Sequence, residues 1–354
     1  MKIGKAITVM ASTAALAVGI VVALFIASEN IIHHRNNFVR RFSDQVEKNY
    51  EIDLKSKAYY FAGESGDSLY LGNYDGPLYL AAVDKKLQNL QIHNIKIDHM
   101  DLPFRSVELR ISASYFFLLD GTVPCIFRGE LKTLNAKYMM KPDATFSKVT
   151  AIDSTTIAYR THSNKGESVL GLSKLNGTNK INEHLLQKQI DGNFDVDGSI
   201  YYDAIYKKLV YVYLFRNQYI IANPNLALDS RGNTIDTVSK AQIKVTYIKS
   251  LDAKKMAAPP LSVNKTAAVH NGLLFVNSEL IGKYEDIEVW KQASVIDVYD
   301  LKDRSYIASL YIYNIENKKL RALYASGNNL YALIGQKLVS YKLTELITKH
   351  YAVR

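Results

Sequence analysis

The strongest constraint on this chain is a unit that recurs along it: an apolar strand, a turn, a second strand, a polar turn and a leucine. Its clearest copy is Ser294 to Ser309, SVIDVYDLKDRSYIAS, which reads as two short strands around a tight polar turn. The second strand and its leucine read Leu78-Tyr-Leu with Leu87, Cys125-Ile-Phe with Leu131, Val169-Leu with Leu175, Tyr219-Ile-Ile with Leu226, Val295-Ile with Leu301 and Leu338-Val with Leu343. Each is preceded by another apolar run, such as Tyr115-Phe-Phe-Leu-Leu or Leu209-Val-Tyr-Val-Tyr. The leucines lie 44, 44, 51, 75 and 42 residues apart. Six units with a period of about 40–50 residues, several strands each, are the mark of a radial repeat rather than of separate domains.

A small twisted sheet of this kind cannot cover its own two faces. Stacking the sheets around an axis buries those faces, and closing the ring protects the edges. The composition agrees: 25 Tyr, only 7 Pro and one Trp suit pleated, half-buried surfaces. The expected fold is therefore all-β, a six-bladed β-propeller preceded by an N-terminal transmembrane helix. The pattern over residues 57–350 resembles the exported six-bladed propellers of bacteria, in the broad sense of the TolB-like superfamily. Phe215 to Thr237 looks like the outer hairpin of a blade. The resemblance implies a fold, and that family hosts binding modules and enzymes alike. Two segments compete to complete the last blade: Ala58 to Ala62, AYYFA, and the tail around Tyr351.

The N-terminus gives an address. Lys2 and Lys5 precede an uncharged apolar run from Ala6 to Ser28, long enough to span a bilayer and longer than a signal-peptide core. No A-x-A cleavage site follows, so residues 1–28 read as a retained signal anchor, with a cleaved signal peptide as the alternative. Residues 29–56 read as a juxtamembrane helical linker, because Phe38, Phe42 and Val46 recur every four residues. The helix is expected to pack on the domain; the alternative is a membrane-surface or oligomerising stalk whose Arg35, Arg40 and Arg41 meet headgroup phosphates. Residues 57–354 read as the propeller, with an insertion near 238–263 where the leucine interval stretches. Arg35, Arg40 and Arg41 oppose the positive-inside rule locally, yet an anchor before a large β domain is the layout of an exported protein. The domain is expected outside the cytoplasm, in the periplasm.

No catalytic motif stands out. The nucleophile elbow G-x-S-x-G, the dinucleotide and P-loop glycine patterns and H-E-x-x-H are all missing. One cysteine, Cys125, excludes an internal disulfide and a Cys-cluster metal site. Asn193, Asp195, Asp197 and Gly198 have the spacing of a calcium loop, although position twelve is Ala204. The segment reads first as an inter-blade turn and no cofactor is expected, with calcium or another divalent ion as the alternative. His93, His99 and Asp101 share a metal only if the chain folds back. Asn264, Asn277 and Glu279 are candidates for a divalent ion in the central channel. The formal charge of +10 favours anionic surroundings, and no nucleic-acid motif accompanies it. Lys244, Lys249, Lys254 and Lys255 in the insertion form the candidate partner-binding surface, for an envelope protein or an anionic ligand. The favoured reading is a non-catalytic protein- or ligand-binding module held to the membrane. The alternative is a metal-dependent hydrolase or lactonase using the central channel.

Overall fold

The computed structural model describes residues 2–32, 36–43, 46–99, 101–251 and 253–353. Helix α1 (Lys2–Ile32) contains an apolar stretch, Ile7–Ile26, long enough to cross a bilayer. Strand β1 (Glu47–Asp53) follows. The first blade is β2 (Tyr59–Ser65), β3 (Ser68–Asn73), β4 (Tyr79–Asp84) and β5 (Leu90–Asn94). The second begins with a short edge strand β6 (Lys96–Ile97), then β7 (Val107–Ser112), β8 (Tyr115–Asp120), β9 (Cys125–Glu130) and β10 (Asn135–Met140), with β6 added parallel to β10. The third is β11 (Phe146–Ala151), β12 (Thr156–His162), β13 (Ser168–Lys174) and β14 (Asn179–Asn182). The fourth is β15 (Gly198–Asp203), β16 (Lys208–Tyr213), β17 (Gln218–Ala222) and β18 (Leu228–Asn233). A separate hairpin, β19 (Val245–Ile248) and β20 (Ala253–Met256), occupies the insertion. The fifth blade is β21 (Asn264–His270), β22 (Leu273–Ser278), β23 (Ala293–Asp300) and β24 (Ser305–Tyr313), with helix α2 (Ile287–Gln292) before β23. The sixth is β25 (Leu320–Ser326), β26 (Asn329–Ile334) and β27 (Lys337–Lys342), before a short α3 (Glu345–Thr348). The molecule is a six-bladed β-propeller.

Ring closure corrects both sequence candidates. AYYFA supplies β2, the innermost strand of the first blade. The strand that completes the sixth blade is β1, which pairs antiparallel with β27 from Glu47↔Lys342 to Asp53↔Lys337. The chain just after the apolar helix therefore closes the ring. Residues 29–32 of the segment read as a helical linker continue α1, but its described residues from 36 onward form no helix. Phe42 bridges Ser309 in parallel, with Ser43 N–H donating to Ser309 O (2.8 Å) and Ser309 N–H to Arg41 O (2.8 Å). The four-residue spacing of Phe38, Phe42 and Val46 arises because Phe38 and Val46 enter two different hydrophobic clusters of the ring, while Phe42 stacks on Tyr311 with ring centroids 4.2 Å apart. Arg35, His33 and His34 lie outside the described residues.

The core consists of the joints between blades. Each of the six joints has its own apolar cluster, for instance Leu118 and Phe127 with Leu80 between blades one and two, and Leu69 and Val83 with Leu333 and Leu338 across the closure. The marker leucines occupy equivalent places after the third strand of each blade. Leu87, Leu226, Leu301 and Leu343 are buried, whereas Leu131 and Leu175 are half-buried. Because strands alternate in direction, first-to-second and third-to-fourth turns lie at one end of the ring. Second-to-third turns and blade-to-blade connections, including the 234–263 insertion, lie at the other.

Candidate functional site

The innermost strands β2, β7, β11, β15, β21 and β25 each have one edge without a strand partner, turned toward the axis. Their backbone polar groups still need partners, and side chains from the adjacent blade supply them. Arg321 Nη1 donates to Tyr59 O (2.5 Å), Leu109 N–H to the Tyr60 hydroxyl (2.7 Å), Arg110 Nε to Val149 O (2.8 Å) and Ala267 N–H to the Tyr201 hydroxyl (3.0 Å). These bonds stitch four of the joints at the channel wall and leave the space beyond them open.

That space is a cavity of about 280 Å³ at the turn end of the channel, lined by residues from all six inner strands. Its polar side chains include Glu64, Arg110, Tyr201, Asp203, His270 and Tyr324. Glu64 pairs with Lys85 (2.8 Å) and accepts from the Ser326 hydroxyl. Asp203 accepts from the N–H groups of Gly272 (2.7 Å), Ile205 (3.0 Å) and Tyr206 (2.9 Å). Burial works against the Arg110 charge, but the neighbouring Glu108 carboxylate overcomes it and raises its pKa. Burial raises the Tyr201 and Tyr324 hydroxyls and lowers His270, so the phenols and the imidazole are all neutral at physiological pH. His270 packs edge-on against Tyr351, ring centroids 5.7 Å apart. The lining offers fixed hydrogen-bonding groups of both signs interleaved with apolar side chains.

The calcium-loop spacing at Asn193, Asp195 and Asp197 serves a different end. Asp195 is fully buried, and its carboxylate accepts four backbone N–H groups: Gln189 (2.5 Å), Ile190 (3.0 Å), Asp191 (3.1 Å) and Gly192 (2.6 Å). Asp197 forms an ion pair with Arg160, and Asn193 bridges Ser168 (3.0 Å) and Gly166 O (2.9 Å). The three oxygens are thus directed to three separate tasks, and Gly198 opens β15 instead of turning a loop. Burial acts to raise the Asp195 pKa, and the converging N–H groups outweigh it and hold it low. We expect Asp195→Asn to cost about 1–3 kcal/mol at neutral pH by turning a donor toward donors. A depressed folded-state pKa stabilises above the unfolded carboxyl value of about 3.9 and loses that contribution as pH falls through the lower folded value. The stability gap between the two proteins should therefore close below about pH 4, as urea titrations across pH will read.

The other sequence candidates are scattered. Asn264 and Asn277 are buried against backbone carbonyls, Asn264 on Tyr213 O and Arg216 O, and Glu279 pairs with Lys265 at 3.3 Å. None of them lines the cavity. His93 lies on β5 opposite Leu80, while His99 sits beside Asp98 and Tyr138. Among the described residues no group of three His, Cys, Asp or Glu side chains converges. Burial pushes the Cys125 thiol up to about 11. Lys244, Lys249, Lys254 and Lys255 are all exposed on or beside the inserted hairpin, and none makes an ion pair among the described residues.

The most elaborate polar site is built on Arg40, for which lipid contact is the alternative reading of the sequence. Arg40 is buried in the fifth blade, and all five of its donors are used. Nε and Nη2 grip Asp297 (2.7 and 3.0 Å), Nη2 also reaches Ser278 Oγ (2.8 Å), and Nη1 reaches Leu280 O (3.0 Å) and Glu285 (2.7 Å). Its guanidinium lies 4.6 Å from the Phe38 ring and 5.7 Å from Trp290, whose indole N–H donates to Glu285 (2.5 Å). Burial opposes the charge, and Asp297 first and then Glu285 more than offset it, raising the Arg40 pKa. Arg41 donates to Tyr306 O and Ile307 O. The site latches the linker to the ring.

These features define the class: a closed six-bladed propeller with a latched N-terminal segment and a polar-lined axial cavity. Among solved structures, the chain is similar to a DUF4221 family member from Bacteroides vulgatus, with a TM-score of 0.53 and 13% identity over 87% of this chain and 98% of that one. It also matches a catalytically inactive virginiamycin B lyase from Staphylococcus aureus with quinupristin (TM-score 0.47, 10% identity, 85% and 99% covered). A third match is the Swd1 propeller domain of Myceliophteria thermophila (TM-score 0.44, 9% identity, 83% and 100% covered). At these identities the likeness concerns fold alone. No protein-family model and no curated protein matches the chain.

Proposed function

We propose that this protein is a membrane-tethered, extracytoplasmic binding module whose ligand enters the turn end of the channel. The observation that carries this reading is the axial cavity, walled by all six blades and furnished with Glu64, Arg110, Asp203 and three neutral aromatic or imidazole groups. Cavities that combine apolar side chains with convergent fixed polar groups are binding sites in general. The charged groups in this one are already engaged by protein partners, which favours recognition over bond-breaking. The apolar stretch in α1 supports the tether.

The test places a photo-crosslinking residue at Ala113 or Ala204, two exposed positions on the cavity rim, in cells making the full chain. A specific adduct from both, and none from Lys132 on a third-to-fourth turn of the same end, is the expected result. Equal adducts at all three positions, or none at either alanine, would overturn the reading.

A further inference from the structure

We propose that the connection end of the propeller lies on the membrane it is tethered to, and that the inserted hairpin docks tip-first on anionic lipid headgroups. This rests on the proposed anchoring through α1. The first observation is tether length. Helix α1 ends at Ile32, and Asn36 is already buried in the ring, its N–H donating to Ile281 O (3.3 Å) and its side chain accepting from Thr237 Oγ1 (3.1 Å). Four Cα steps reach at most about 14 Å. The six helical residues after Ile26 add about 9 Å, of which the headgroup layer takes roughly 6 Å. The end of the ring that holds Asn36 therefore cannot stand far from the bilayer.

The second observation is what else occupies that end. Asn36 touches Thr237 at the root of the insertion, and Phe38 packs with Val238, Val263 and Leu280 beside it. The hairpin β19–β20 grows from this root, with Lys249 in its terminal turn. Residues 240–255 carry five lysines, Lys240, Lys244, Lys249, Lys254 and Lys255, against the single acid Asp252, which lies outside the described residues. Lys283 adds a sixth cation on the neighbouring loop, next to Tyr284, which is 76% exposed. The acids of that loop and helix are engaged: Glu279 with Lys265, Glu288 with Lys291, and Asp286 as the cap of α2.

The geometry selects a plane over a groove. Lys254 pairs across the hairpin with Tyr247 and Lys255 with Thr246, so the two lysines project from opposite faces. A partner gripping one face would neutralise only half of the charge. A hairpin meeting a flat anionic layer at its tip brings both faces within reach, with Tyr247 at the level where aromatic side chains favour the interface. Each lysine held near such a surface is attracted to it, and salt screens that attraction.

The full chain is reconstituted into vesicles of phosphatidylcholine alone, or with about a third phosphatidylglycerol, floated on a density gradient, and acylated on lysine for mass spectrometry. In the anionic vesicles Lys244, Lys249, Lys254 and Lys255 should be acylated about threefold less than in the neutral ones, with the difference removed by 0.5 M salt. Lys86, Lys132 and Lys302, exposed on third-to-fourth turns at the far end, should not change. Changing the four insertion lysines to Gln should remove the protection of Lys240 and Lys283 as well. Failure to float overturns the anchor and this proposal together. Flotation with equal acylation in both lipids, or protection of the far-end lysines alike, overturns the docking alone.

Discussion

Replacing Arg40 by Met should destabilise the protein by about 3–5 kcal/mol, because it leaves Asp297 and Glu285 buried together without their cation. Both carboxylates are almost inaccessible, and Asp297 also accepts from the Ser309 hydroxyl, so neither can turn to water. Trp290 is the only tryptophan and donates to Glu285 within this cluster. Its fluorescence therefore reports the site directly during denaturant unfolding in detergent. Arg40→Lys should recover only part of the loss, since one ammonium cannot replace a fork that grips Asp297 through two nitrogens. Adding Asp297→Asn to Arg40→Met should restore stability by more than the single changes predict, the sign of coupled partners. If Arg40→Met shifts neither the midpoint nor the fluorescence, the latch is only a surface contact.

The second large effect is expected at Leu301. It is 1% exposed between the fourth and fifth blades, packed with Val210, Tyr219 and Tyr299, and its N–H donates to Gly272 O at 2.9 Å. Leu301→Ala should cost about 2–5 kcal/mol, the range for removing a buried leucine side chain that its surroundings cannot replace. Leu175→Ala, at the equivalent but half-buried place, should cost clearly less. An unchanged denaturant midpoint for Leu301→Ala, or the reverse ranking, would contradict the equivalence of the six units.

Together the latch and the closing strand give the chain between the apolar helix and the propeller two structural duties. It fills the surface of the fifth blade through Arg40 and Phe42, then completes the sixth as β1. A pull on the helix meets the fifth-blade latch before it reaches the closing strand. The axial cavity opens at the opposite end, among the first-to-second turns, so on the proposed orientation it is turned away from the lipid.

The sequence by itself determined the blade count and its register. The legible units are the second and third strands of each blade. These lie between stacked blades and are covered on both sides, so they read as unbroken apolar runs, as in β22 and β23, where every residue is buried. The outer strands, such as β14 and β18, are largely exposed and carry no comparable signal. The inner strands are bonded on one edge only and satisfied by distant side chains such as Arg321 and Tyr60. The apolar helix was equally plain, because span length is a property of local composition. Only the tertiary structure decided where β1 pairs, since a strand of polar alternation, EKNYEID, names no partner until the ring brings β27 beside it. Only it decided that Arg40 is buried and not lipid-facing. Only it decided that Asp195 gathers backbone N–H groups in place of a metal. An arginine or an aspartate is the same residue in either role, and what separates the roles is which donors and acceptors, up to 257 positions away in the chain, the fold brings within 3 Å.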